Sequence, residues 1–372
     1  MKIAVNASAL VKNKLTGTGW FSYQILKRIT QENLYDEFIF FFDRKIEAEF
    51  VFSPNVRAVR LAPKTFNSFF TWIFFQISLR FALRKYKPDV FFSPESHICL
   101  GTKVKSINVF HDIFFEKHPQ YLDNKLKLYF LRRYFPKYAK KADKIATVSE
   151  HSKKDLVEIY KLNPEKIVVV YNGADENYHQ ISDLDKYQIR LQYTGGKQFF
   201  VYVGDIFTKK NVVNLLKAFE IFKKTDDTEM KLMLVGCSLN KKYGFTKFFK
   251  GLKQQNNIVV IPQLEPEQLN KVLASSVALI YPSLYEGFGL PILEAFHSET
   301  AVVSSDISSM PEVAGNAALY CNPFEPADIA KQMQKIVSMP GLREKLVDAG
   351  RKQREKFSWD KTAKKLWDLL RC

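Results

Sequence analysis

Cysteine is scarce. The four residues, Cys99, Cys237, Cys321 and Cys372, stand far apart with no C-x-x-C pair in a chain of 372. That scarcity excludes a disulfide framework and a zinc ribbon, and it fits a reducing compartment. Glycine and proline are low as well, at 15 each, which leaves no collagen-like or low-complexity tract. No apolar run reaches the ~20 residues a membrane span needs. The longest, 69–79, is interrupted by Thr71, Gln76 and Ser78 and closed by Arg80. The first residues, MKIAVNASALV, lack a basic segment, a long apolar core and a small-residue cleavage site. They read as a first β-strand, and the chain is expected in the cytoplasm. Metal and nucleotide motifs such as H-E-x-x-H and the Walker loop are missing too. The D-x-D letters at Asp183 and Asp185 fall in a polar stretch and read as solvated charges. Neither a metal nor a resident cofactor is expected.

Acidic residues are outnumbered, 39 against 56 basic ones, for a formal charge of +17. The excess is +11 before residue 180 and +6 after it. A basic first half points to an anionic partner: a nucleic acid, an acidic membrane surface or a phosphorylated small molecule. Apolar residues are plentiful, at 46%, and this length suffices for two domains with cores of their own. Short apolar or β-branched runs alternate with helical spacing throughout. Strands are expected at 2–5, 38–42, 56–61, 89–93, 106–110, 144–148 and 166–170, with helices at 20–29, 124–141 and 149–160. Pro136 is expected to kink or divide the second of these helices. The polar stretch 176–197 reads as a linker with room for a short helix. A second alternating set then runs from 199 to 304, and Asn211 reads as the cap of a helix over 211–224.

Two successive βα arrays imply an α/β protein with two doubly wound, Rossmann-like parallel sheets facing across a cleft. The expected division is 1–175, the linker 176–197, and 198–359, with a helix over 360–372 packing back on the first domain.

The segment Tyr281-Pro-Ser-Leu-Tyr-Glu286-Gly-Phe-Gly-Leu-Pro-Ile-Leu-Glu294 is the most informative. A strand runs into a loop with Gly287 and Gly289, and a helix follows. Glycine lets backbone approach a ligand, and the helix mouth offers N–H groups to an anion. Were Glu286 and Glu294 both helical, they would lie about 12 Å apart along the axis. With Glu286 in the loop, both can face one bound molecule. A tight turn with one solvated glutamate is the competing reading.

Glu286 and Glu294 reproduce the E-x7-E spacing of retaining GT-B glycosyltransferases, and EGFGLPILEAF resembles family 4 of that class. The resemblance extends over nearly the whole chain: Gly17-Thr18-Gly19, Phe110-His111-Asp112, Ser149 in ATVSEHSK, Val169-Val-Tyr-Asn172-Gly173, Tyr202-Val-Gly204, Lys209-Lys210-Asn211 and Phe357-Ser-Trp359. It implies a nucleotide-sugar donor held by the second domain and an acceptor held by the first, with no metal. Lys210, with Lys209, would neutralise the departing diphosphate. Gly204, Gly287 and the N–H groups of Phe288, Gly289 and Leu290 would line the donor. Glu294 would bond the nucleotide's ribose, Glu286 would lie beside the donor sugar, and His111 would sit near the same sugar. Gly17, Thr18 and Gly19 would close the first βα turn beside the cleft. Three departures from the family pattern stand out: Asp205 where a basic residue is common, His297-Ser298-Glu299 after the second glutamate, and Trp20.

From Lys117 to Lys154 the local charge is +8, and Tyr129, Phe130, Tyr134, Phe135 and Tyr138 alternate with Arg132, Arg133, Lys137, Lys140 and Lys141. Three readings compete: a packed aromatic face with a solvated basic one, a surface that attracts anionic lipid while its aromatics enter the interface, and, least favoured, nucleic-acid binding. Phe66–Leu83 would add a membrane-facing wedge or more core. Nucleic acid is not expected as a partner, because no known binding module is present. The expected activity is transfer of a hexose, mannose first, from a nucleoside-diphosphate sugar to a saccharide or lipid-linked saccharide. The alternatives are a catalytically silent binding or scaffold domain of the same fold and, behind it, a basic nucleic-acid-binding protein.

Overall fold

The computed structural model describes residues 1–13, 15, 17–122, 124–206, 208–226, 228–237 and 245–372. The chain divides into two compact units, Met1–Asn172 with Ser358–Cys372, and Gly173–Phe357.

In the first unit seven strands form one sheet: β1 (Lys2–Asn6), β2 (Glu37–Phe42), β3 (Val56–Arg60), β4 (Val90–Ser93), β5 (Lys105–Phe110), β6 (Lys144–Thr147) and β7 (Ile167–Val169). All pairings are parallel, in the order β3-β2-β1-β4-β5-β6-β7. A strand covered on both faces has no reason to alternate, and β2 reads EFIFFF with five buried residues in succession. Phe41, Phe74, Phe91, Phe110 and Ile145 belong to its core. The last helix, Trp359–Arg371, lies on helix Gly17–Glu32 of this unit: Trp359 meets the edge of Phe21 at 5.9 Å, and Arg28 Nε bonds Asp360 at 2.6 Å.

The second unit repeats the plan with β8 (Phe199–Val203), β9 (Lys231–Val235), β10 (Ile258–Ile261), β11 (Ala278–Tyr281), β12 (Ala301–Ser305) and β13 (Ala318–Cys321), parallel in the order β10-β9-β8-β11-β12-β13. Phe200, Tyr202, Leu216, Phe219 and Val303 fill its core. Each sheet reverses its strand order once, between β1 and β4 and between β8 and β11. Open α/β sheets bind ligands beyond the carboxyl ends of the strands at such reversals. The fold thus marks one candidate position in each unit.

Several expectations are corrected. The stretch 176–197 holds the short helix it had room for, Asp183–Thr194, but it is not a linker: it belongs to the second unit, where that helix packs on helix Pro266–Ser275. Ser182 accepts from the Asp185 N–H, and Asp183 and Asp185 supply the acidic first turn. Such a cap needs only one buried apolar face behind it. Pro136 does not divide its helix, which runs unbroken from Lys125 to Lys141 on buried Phe135, Tyr138 and Ala139. β13 has no counterpart among the expected strands. In 66–83 the two readings share the residues: Phe74, Phe75, Leu79 and Leu83 are core, whereas Phe66, Phe69, Ile77 and Phe81 are exposed. No helix among the described residues is long and apolar enough to cross a membrane.

Candidate functional site

At the reversal of the second sheet, Gly204 follows the end of β8 and β11 ends at Tyr281. Gly204 has φ +144°, and a Cβ there would lie 2.9 Å from the Tyr202 hydroxyl. Only glycine fits. The short turn Thr208–Lys210 follows, tied to the loop after β11 by the Leu284 N–H, which donates to the Lys209 carbonyl at 2.7 Å. Asn211 is not the side-chain cap expected of it. Its φ is +61°, and its Nδ2 donates to the Pro282 carbonyl at 2.9 Å and the Pro323 carbonyl at 2.6 Å. The side chain therefore clamps two loops to the mouth of helix Val212–Phe222.

That clamp fixes Lys210. Its Nζ lies 2.7 Å from Glu286 Oε1 and 2.8 Å from the Tyr281 hydroxyl, and the same hydroxyl donates to Glu286 Oε1 at 2.9 Å. Glu286 sits in the loop and is buried. Burial alone would raise its carboxyl, but Lys210 and Lys209 hold it below the usual range, as a carboxylate. Ser308 and Ser309 lock the loop: the Glu286 N–H donates to Ser308 Oγ at 3.1 Å, and Ser309 Oγ donates to the Glu286 and Phe288 carbonyls at 3.0 and 2.8 Å. Gly287 is buried, and Phe288 turns inward against the edge of Phe357 at 5.5 Å. Gly289, at φ +105°, precedes helix Leu290–His297. The N–H groups at this mouth form a fixed positive pole.

Glu294 lies one turn into that helix and is hydrogen-bonded to Tyr178. Burial raises its carboxyl to about 7, with Tyr178 and Lys210 opposing and Asp175 adding to the shift. Lys210 and Tyr281 are in electrostatic reach of Glu294 as well as Glu286. The two glutamates, the lysine and the glycine loop therefore form one constellation. It offers an anion a cation and a helix mouth, and it offers hydroxyl groups two carboxylates. Tyr178, Tyr281, Asn211 and the serine pair at 308–309 were not among the expected residues. For Tyr178, Asn211 and the serines spacing carries no signal, because each reaches a segment distant in the chain, whereas Tyr281 stands only five residues before the Glu286 it bonds.

The remaining expected residues lie in the first unit. His111 follows β5. Its Nε2 donates to the Pro94 carbonyl at 2.9 Å, and its ring meets the edge of Phe21 at 4.8 Å. Burial lowers its basicity against the pull of Pro94, Asp112 and Glu95, so the imidazole is neutral at pH 7 with Nδ1 as its acceptor nitrogen. Gly17, Thr18 and Gly19 do not close the βα turn. They form the first turn of helix Gly17–Glu32, where Ser22 Oγ donates to the Thr18 carbonyl at 2.8 Å. A Cβ on Gly19 would stand 3.0 Å from the Ala9 carbonyl oxygen, so the glycine serves the approach of helix to loop.

Replacing Asn211 with alanine takes the Asn211 donor from the Pro282 carbonyl, leaves the Pro323 carbonyl with Asn214 Nδ2 at 3.1 Å, and puts a poor left-handed residue at φ +61°. The expected cost is about 2–4 kcal/mol, read as a lower urea midpoint of the second unit. An unchanged midpoint would show that the clamp is not needed.

Comparison with known proteins gives a consistent result. The model of the glycosyl transferases group 1 matches residues 185–353, and that of glycosyltransferase family 4 matches residues 18–178. The O-antigen chain mannosyltransferase B of Escherichia coli is 26% identical over 75% of this chain and 73% of its own. The O-antigen chain mannosyltransferase RfbU of Salmonella typhimurium is 25% identical over 90% of this chain and 91% of its own. Among solved structures, Anabaena HepE in complex with UDP-glucose superposes with a TM-score of 0.77 at 16% identity, over 100% of this chain and 99% of that one.

Proposed function

The chain belongs to the group 1, family 4 glycosyltransferases, of GT-B fold, and on that premise we propose that it is a retaining hexosyltransferase using a nucleoside-diphosphate sugar. The observation that carries this reading is the contact of Lys210 with Glu286 and Tyr281 beside the Gly287–Leu290 helix mouth. The bond from the anomeric carbon to the β-phosphate oxygen breaks, and negative charge grows on the diphosphate. Lys210, Lys209 and the N–H groups of Phe288, Gly289 and Leu290 stabilise that charge; preorganised dipoles and cations are commonly the largest catalytic contribution. Gly204 keeps the opposite wall low enough for the phosphates. Glu294 accepts from the ribose hydroxyls. Glu286 holds Lys210 in place and faces the sugar, and neutral His111 accepts from a sugar hydroxyl through Nδ1. The acceptor oxygen bonds the anomeric carbon on the face the diphosphate leaves, and its proton passes to the leaving phosphate. None of these steps calls on a metal ion.

Mannose is the proposed sugar, which accords with the O-antigen mannosyltransferases among the relatives. The acceptor is a saccharide or lipid-linked saccharide of cell-surface polysaccharide or lipopolysaccharide synthesis. Helix Lys125–Lys141 exposes Leu126 and Tyr129 among Lys125, Lys127, Arg133 and Lys137, chemistry that suits the anionic inner face of a membrane. The decisive experiment is a thermal-shift panel of UDP, GDP, ADP and dTDP in the presence of EDTA. One nucleotide, GDP for a mannose donor, is expected to raise the melting temperature as its concentration passes its Kd. No response to any of the four rules out the donor site.

A further inference from the structure

Helix Asp183–Thr194 buries Ile189 and Thr194 and packs on helix Pro266–Ser275. Away from that side, Leu184, Tyr187 and Leu191 are 66, 53 and 55% exposed. Their spacing, i, i+3 and i+7, makes them the a, d and a positions of a heptad, a seam on one face of the helix. Charge borders this seam in a definite order. Asp183 and Arg190 hold the two g positions, and Gln188 holds the e position between them. The Asp183 side chain is 99% exposed and pairs with Lys186 of its own helix at 3.3 Å. Arg190 has no acidic partner among the described residues. Burial lowers the basicity of Arg343, Glu344 opposes and Arg190 adds to the shift, so a second cation stands near Arg190. In an antiparallel pair of helices g meets g′. A copy turned about a two-fold axis therefore brings its Asp183 to Arg190 and its Arg190 to Asp183. A parallel pair sets g against e′ and offers Asp183 only Gln188.

We propose that this face is a homodimer interface, in which helix Asp183–Thr194 packs antiparallel on the same helix of a second copy of the chain. Leu184, Tyr187 and Leu191 fill the seam, and Asp183 pairs with Arg190 across it. The proposal stands apart from the transferase reading. A lipid surface suits the face less well: Asp183 and Asp185 balance Lys186 and Arg190, so the helix lacks the cationic excess that draws an amphipathic helix to anionic lipid. A second copy brings the missing charge and the missing apolar surface together. Asp183, a solvated charge within one chain, becomes half of an ion pair between two. One short helix pair lies at the low end of specific interfaces, below about 1,200 Å² in total, and the expected Kd is on the order of 10–100 µM.

The test is sedimentation equilibrium of the full chain from about 5 to about 500 µM, with circular dichroism to confirm that each variant is folded. The parent is expected to pass from monomer to dimer over this range. Leu191→Asp, at an exposed position, is expected to leave a folded monomer throughout. Asp183→Arg and Arg190→Asp each set like charges against one another twice in the dimer, and each is expected to raise Kd about tenfold. The double variant exchanges the two charges and is expected to restore the parent value, a rescue that local damage to the helix would not allow. A parent that stays monomeric at about 500 µM would overturn the proposal. So would a dimer indifferent to Leu191→Asp, or a double variant no tighter than the single ones. A monomer that binds phosphatidylglycerol vesicles and loses them with Leu191→Asp would give the face to lipid and overturn it as well.

Discussion

Lys210→Ala is expected to lower the turnover number about a thousandfold, the scale of removing one preorganised charge from a developing anion, with the fold intact. The lysine contributes little to the core: it caps a three-residue turn, and its surroundings are held by Asn211 and by the Leu284–Lys209 backbone bond. What it does hold is electrostatic balance. Without it, the buried Glu286 carboxylate keeps Lys209 and the Tyr281 hydroxyl but loses its nearest cation, so its proton affinity rises. A diphosphate entering the variant meets one cation fewer and an unscreened carboxylate, and donor affinity falls along with turnover. Lys210→Arg is expected to rescue little, because the ammonium sits between two oxygens at 2.7 and 2.8 Å and a planar fork does not fit a point-charge niche. Single-turnover transfer, nucleotide titration and far-ultraviolet circular dichroism separate these effects. Turnover within tenfold of the parent, in a folded variant, would remove Lys210 from the chemistry.

The sequence was most legible where a short motif and a structural element coincide. Glu286, Gly287, Gly289 and Glu294 lie on one strand–loop–helix passage, so their spacing alone brought them to one place. Lys210 comes from a different strand end, and only the family resemblance joined it to Glu286, from which it is 2.7 Å away. The repeating alternation of strands and helices conveyed the doubly wound class, but no local pattern announces that β8 lies beside β11 rather than β10. Residues that act across such neighbours stayed hidden: Tyr178 on Glu294, Asn211 on the carbonyls of Pro282 and Pro323, Ser309 on Phe288. In 176–197 room for a short helix was legible, and helix Asp183–Thr194 fills it; its membership of the second unit was not, because it buries only Ile189 and Thr194 and leaves Leu184, Tyr187 and Leu191 exposed. Gly17-Thr18-Gly19 misled by composition: two glycines suggest a turn, whereas here they open a helix, and only Gly19 stands where that helix closely approaches a loop.

Glu294→Ala is expected to reduce kcat/KM about a thousandfold, since two hydroxyl-to-carboxylate bonds together are worth roughly 4 kcal/mol. The pH dependence provides the sharper test. In the ligand-free protein the Glu294 carboxyl titrates at about 7, against 4.5 for an unperturbed glutamate. Between these values the native state binds more protons than the unfolded one, so this group's contribution to stability falls as pH rises from about 4.5 to about 7 and is lost above that. Ribose hydroxyls donate to the ionised form. Nucleotide binding therefore expels the proton, and affinity should rise about tenfold per pH unit up to about 7 and then level off. Glu294→Gln keeps the shape of the side chain and accepts from Tyr178, yet cannot ionise. It should abolish both slopes: the melting temperature of the ligand-free variant exceeds the parent's above pH 7, while its weak nucleotide binding becomes flat with pH. Calorimetry in two buffers of different ionisation enthalpy counts the released proton directly. A parent enzyme whose nucleotide affinity does not change from pH 5.5 to 8, or a glutamine variant that retains the slope, would show that Glu294 does not bind the ribose as a carboxylate, since binding that favours the ionised form must release its proton.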